Sequence, residues 1–102
     1  MTGEAARAEA LIAAEIAGFE GEGRAARMTL AAFQEALVTP EAIGVQFSGG
    51  HERECWAVTA LNGPYRVVFM AEAGYFSLVI EGAFGPVDIG VHGKAIDCFA
   101  SV

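Results

Sequence analysis

The sequence predicts an α+β fold, with two N-terminal helices packed on one face of an antiparallel meander of about five to six strands. Three observations carry this expectation. From Val45 onward, apolar, β-branched or aromatic runs alternate with glycine-bearing turns at intervals of roughly eight to twelve residues. The turns fall at Ser48-Gly49-Gly50, Asn62-Gly63-Pro64, Glu72-Ala73-Gly74, Gly82 to Pro86 and Gly93-Lys94. The preceding part of the chain lacks this rhythm and is rich in alanine and glutamate. With 102 residues the chain is read as one domain, 1–102, helical over 1–43 and sheet over 44–102.

In the first helix, capped by Thr2 and running to about Phe19, Ala5, Ala8, Leu11, Ile12, Ile16 and Phe19 recur at steps of three and four. Glu4, Arg7, Glu9 and Glu20 take the opposite side, and Gly18, Gly21 and Gly23 end the helix. A second helix is expected from Leu30 to Val38, with Thr29 as its cap and Met28 stapled to Phe33. One more helical turn is expected after Thr39-Pro40, because proline suits a first helical position, before Gly44 stops it.

Strands are placed near 44–48, 53–61, 65–71, 75–81, 87–92 and 95–100, joined as sequential hairpins. In the fifth, Val87, Ile89 and Val91 oppose Asp88, Gly90 and His92; in the sixth, Ile96 and Cys98 oppose Asp97 and Phe99. The middle strands are apolar on both faces, with Val67 and Phe69 against Val68 and Met70, and Phe76, Leu78 and Ile80 against Tyr75, Ser77 and Val79. Something must therefore cover a second face: a partner chain, or the sheet itself if it curls.

Charge and composition narrow the functions. Thirteen acidic against six basic residues give −7 without a basic cluster, which argues against direct nucleic-acid binding. Apolar residues make up 54% of the chain, and part of that surplus is expected in an interface. The start, Met1-Thr2-Gly3-Glu4, has neither the basic region nor the apolar core of a secretory signal, and acidic residues interrupt every long apolar stretch. The expected location is cytoplasmic with no membrane contact, and Cys55 and Cys98 are expected reduced and buried.

No motif for catalysis, metal or phosphate stands out. Gly18-Phe19-Glu20-Gly21-Glu22-Gly23 has the wrong order for a dinucleotide loop and carries carboxylates where a pyrophosphate would lie. His51, Cys55, His92 and Cys98 are of zinc-ligating types but lack compact ligand spacing, so neither metal nor cofactor is expected. Asp88, His92 and Asp97 share the mixed face of the expected last hairpin, where an acid/base cluster would form around the gap left by Gly90. Glu4, Glu15 and Glu22 are spaced for a carboxylate row mimicking nucleic acid, if the helix ran that far.

The expected function is non-enzymatic: a small acidic protein that binds another protein, of the adaptor, immunity or phage-encoded inhibitor kind found in bacteria. The interface candidates are Phe84, Tyr75, Trp56, Tyr65, Asp88 and His92. Phe84 is the sharpest, because a turn has no core reason to display phenylalanine unless it folds back or meets a partner. Homodimerisation through the second sheet face or the last strand belongs to the same reading. The alternatives are an apolar small-molecule pocket between curved sheet and helix, and a small enzyme using Asp88, His92 and Asp97.

Overall fold

The computed structural model describes residues 3–102. The element order is α1 (Gly3–Ala17), α2 (Gly23–Ala36), β1 (Leu37–Phe47), β2 (His51–Thr59), β3 (Tyr65–Met70), β4 (Tyr75–Gly82), β5 (Gly85–Gly93) and α3 (Ala95–Ala100). The α+β class holds, but the sheet is a closed five-stranded barrel, not an open meander, and a third helix follows it. Each strand pairs antiparallel with the next, and a parallel contact between Gln46 of β1 and Val87 of β5 closes the ring.

Closure explains the strands that are apolar on both faces. Val45, Cys55, Ala57, Val68 and Val79 fill the barrel interior, with Ile43, Phe47 and Met70 beside them. Val58, Val67, Phe69, Phe76 and Leu78 point outward, where Ala8 and Ile12 of α1, Phe33 of α2, and Ile96 and Cys98 of α3 cover them. Of the two covers the sequence allowed for the second face, a partner chain or the curled sheet, the closed barrel supplies the second.

Several local expectations give way to tertiary contacts. α1 matches its amphipathic pattern, although the Thr2 cap lies outside the described residues. α2 begins at Gly23, so Thr29 sits within the helix instead of capping it, and Met28 is exposed. The intervening Arg24, Ala25, Ala26, Arg27 and Met28 are all good helix formers, and nothing stops the helix reaching back to the glycine. α2 buries only Phe33, whose ring lies 5.6 Å from Phe99 of α3.

The helical turn expected after Thr39-Pro40 is instead the first half of β1, which absorbs the 44–48 strand. Between Leu37 and Glu41 the pairing with β2 shifts, because four residue steps of β1 lie opposite two of β2. Pro40 sits in this irregularity, where its missing N–H takes nothing from a ladder. The strand expected over 95–100 is α3, which buries Ala95, Ile96 and Cys98 on one side. Its first amides, which have no partner within the helix, are capped from far away in sequence: Glu15 of α1 accepts hydrogen bonds from the N–H groups of Ala95 (2.9 Å) and Ile96 (3.0 Å). Among the described residues no helix is long and apolar enough to cross a membrane.

Candidate functional site

The six interface candidates separate into three situations. Trp56 and Tyr65 serve the fold. Trp56 packs against the helix-facing core and its indole N–H donates to Glu4 Oε1 at 3.0 Å, while Tyr65 is half-buried against the same core at the start of β3.

Tyr75, Asp88 and His92 come together on the barrel-interior side of β4 and β5. Residues four apart in a regular strand stand roughly 13 Å apart, yet His92 Nε2 lies 3.2 Å from each carboxylate oxygen of Asp88. A bulge brings them together. Leu78 pairs with Val91 and the next residue, Val79, pairs with Asp88, so Ile89 and Gly90 are looped out of β5. Gly90 has φ +82°, a conformation that side-chain-bearing residues rarely adopt. The imidazole also stacks on Tyr75, with ring centroids 4.8 Å apart and planes 20° from parallel. Asp88 is left 11% exposed and His92 36%.

Asp97, the third member of the alternative acid/base cluster, does not join this pair. It belongs to α3, where it borders a cleft with Glu20 and Lys94. The four residues of zinc-ligating type do not converge either, since Cys55 lies inside the barrel and Cys98 outside it under the helices. Among the described residues no group of three or more His, Cys, Asp or Glu is placed to hold a metal ion. Burial is the main force pushing the Cys55 thiol up to about 11, reinforced by the charges of Asp88, Glu72 and Glu54. Burial likewise raises Cys98 to about 11, with Glu15, Asp97 and Asp88 adding to it and a backbone hydrogen bond opposing it. Both shifts favour the protonated thiol, the less nucleophilic form, near neutral pH.

Phe84 stands apart from both groups. Gly82 pairs with Gly85, leaving Ala83 and Phe84 as the two-residue tip of the β4–β5 hairpin. Phe84 is 91% exposed and its side chain does not fold back onto the core. The tip is nevertheless anchored, because Gln46 Nε2 donates to the Phe84 carbonyl at 3.1 Å. Gln46 also makes the backbone contact that closes the barrel, so one residue joins the seam to the hairpin. On the outer face of the adjoining ladder, Gln46 is opposite Glu52 and Gly44 is opposite Glu54. Glu52 leans across the space that the glycine leaves, since a Cβ on Gly44 would lie 2.9 Å from its Oε1.

Sequence reasoning missed Gln46, Glu52 and Glu54 around the hairpin, and also the cap made by Glu15. Only Glu15 carried a signal. It continues the three-four spacing of Ala5, Ala8 and Ile12, which puts a carboxylate on a buried stripe. Of the three carboxylates spaced for a row, Glu4 bonds Trp56 and Glu15 caps α3, while Glu22 lies beyond the end of α1.

One further concavity lies between α1 and the barrel. It is an open trough of about 500 Å³ bordered by Leu11, Ala14, Glu15, Tyr75, Phe76 and Lys94. No protein-family model matches the chain, and no curated protein or solved structure matches it.

Proposed function

We propose that this protein is a non-enzymatic protein-binding module that docks through the β4–β5 hairpin, with Phe84 as its anchor. The observation that carries the reading is the 91% exposure of Phe84 on a tip fixed by Gln46. Burying an aromatic side chain is among the largest single contributions to an interface, and a tethered tip loses little freedom on binding. The high thiol pKa values also favour a non-catalytic reading. Adaptors and inhibitors of cytoplasmic targets are the kinds of protein that fit this description. The surfaces that motivated homodimerisation have other roles, since the second sheet face is the barrel interior and the 95–100 segment is α3.

The test is affinity capture from the native cells' soluble extract with the tagged full chain, comparing wild type with Phe84→Ala. Because the ring is free of the core, the substitution is expected to change folding stability by no more than about 0.5 kcal/mol. It should abolish retention of a protein held by wild type. Identical captures by the two baits would refute the proposal.

A second reading, a small-molecule binder, is favoured by the trough, which has apolar walls and lies between helix and curved sheet as a ligand site would. Native mass spectrometry of the purified protein tests it: a retained small-molecule adduct, displaced by Ala14→Trp, is the expected result if the trough is occupied.

A further inference from the structure

The surroundings of Phe84 carry information about the partner's chemistry. Glu52 and Glu54 occupy the outer face of β2, one strand beyond Gln46, and neither makes an ion pair among the described residues. Neighbouring strands are spaced about 4.8 Å apart, which puts β2 roughly 10 Å from β5 across the seam. The nearby cations are already neutralised: Arg53 pairs with Glu72 at 3.1 Å, and Arg66 with Glu81 at 3.1 Å. An exposed aromatic knob therefore stands beside two uncompensated carboxylates, on a chain whose net charge is −7.

Resting on the protein-binding reading above, we infer that the partner is a different protein, presenting an apolar pocket for Phe84 with Lys or Arg on the rim that faces Glu52 and Glu54. The shape of the site requires the pocket, because a projecting ring is buried only by a concave surface. Charge selects the rim, since carboxylates at the edge of an interface steer association and reject like-charged surfaces. The same argument disfavours a second copy as the occupant. The clefts of this chain carry carboxylates on their own borders, in three of them beside a cation: Glu15 with Lys94 at the trough, Glu9 at the groove between α1 and β1, Glu54 and Glu72 with Arg53 at the third, and Glu15, Glu20 and Asp97 with Lys94 at the fourth. Each copy carries a net charge of −7, so two copies would bring like-charged molecules together, whereas a basic rim would attract Glu52 and Glu54.

The experiment extends the capture with Glu52→Gln/Glu54→Gln, again using the tagged full chain as bait and the cell's soluble proteins as prey. The prey is identified by mass spectrometry, and its affinity for each bait is measured over a range of salt concentrations. The expected result has three parts. Phe84→Ala weakens binding at least about tenfold, the double glutamine variant weakens it at least about threefold, and the double variant's binding depends less on salt than that of wild type. A prey lost with Phe84→Ala but unaffected by the double variant and by salt would overturn the basic rim while leaving the Phe84 interface standing. A wild-type dimer broken by Phe84→Ala would show that the occupant is a second copy, which also overturns this inference. Captures insensitive to Phe84→Ala, or no capture at all, would remove both the inference and the reading beneath it.

Discussion

At the residue scale, burial separates side chains that look alike in the sequence. Cys55 and Cys98 behave as small core groups, and their pKa values of about 11 set a pH window for stability. In the unfolded chain a thiol ionises near its ordinary 9.0, whereas the folded protein keeps both protonated until about 11. Their contribution is thus complete below pH 9 and is lost as pH rises toward 11. Denaturant midpoints measured across that range should fall more steeply for wild type than for a Cys55→Ala/Cys98→Ala variant. The Glu15 cap provides a second residue-level prediction. Glu15→Ala strands the amides of Ala95 and Ile96 and should cost about 1–2 kcal/mol, measured by chemical unfolding. Glu15→Gln, which keeps an acceptor, should recover part of that loss. Phe84 was legible as an anomaly from its place in a glycine-bounded turn, but Gln46, 38 residues away on the strand that neighbours β5 across the barrel seam, gave no local sign of holding it.

At the level of elements, local pattern and long-range pairing competed, and pairing prevailed where the local preference was weak. Thr39-Pro40 resembles a helix start, yet β2 offers this stretch a partner, and the irregularity in β1 leaves the proline out of the ladder. The 95–100 segment is too short for periodicity to decide between strand and helix. The cap from Glu15 and the ring of Phe33 against Phe99 favour the helix. The β5 bulge was visible only as an isolated glycine within a strand pattern. Its effect, joining Asp88 to His92, depends on the pairing register with β4. A Cβ on Gly90 would meet nothing within 4 Å, so Gly90→Ala tests backbone conformation alone. With φ at +82° the substitution should cost about 1–2 kcal/mol, and imidazole NMR should show His92 losing its Asp88 hydrogen bond as the bulge relaxes.

For the whole molecule, the weak point is the seam. β3 and β4 pair through six residue positions and β1 and β5 through one, so the ring is held most lightly where it closes. Native-state hydrogen exchange should find the seam amides around Gln46 and Val87 opening at lower free energy than those of the β3–β4 ladder, and Gln46→Ala should widen the difference. Residue type and spacing alone set two helices ahead of the strands, four of the hairpin turns, the two-sided apolar character of the middle strands and the place of Phe84 in a turn. Those properties are encoded in residue type and short spacing, and they hold whatever the chain packs against. Tertiary structure alone decided that the sheet closes into a barrel, that its last segment is a helix capped by Glu15, and that Glu52 and Glu54 stand beside Phe84. Each of these depends on register and closure between segments distant in sequence, which periodicity within a segment does not encode.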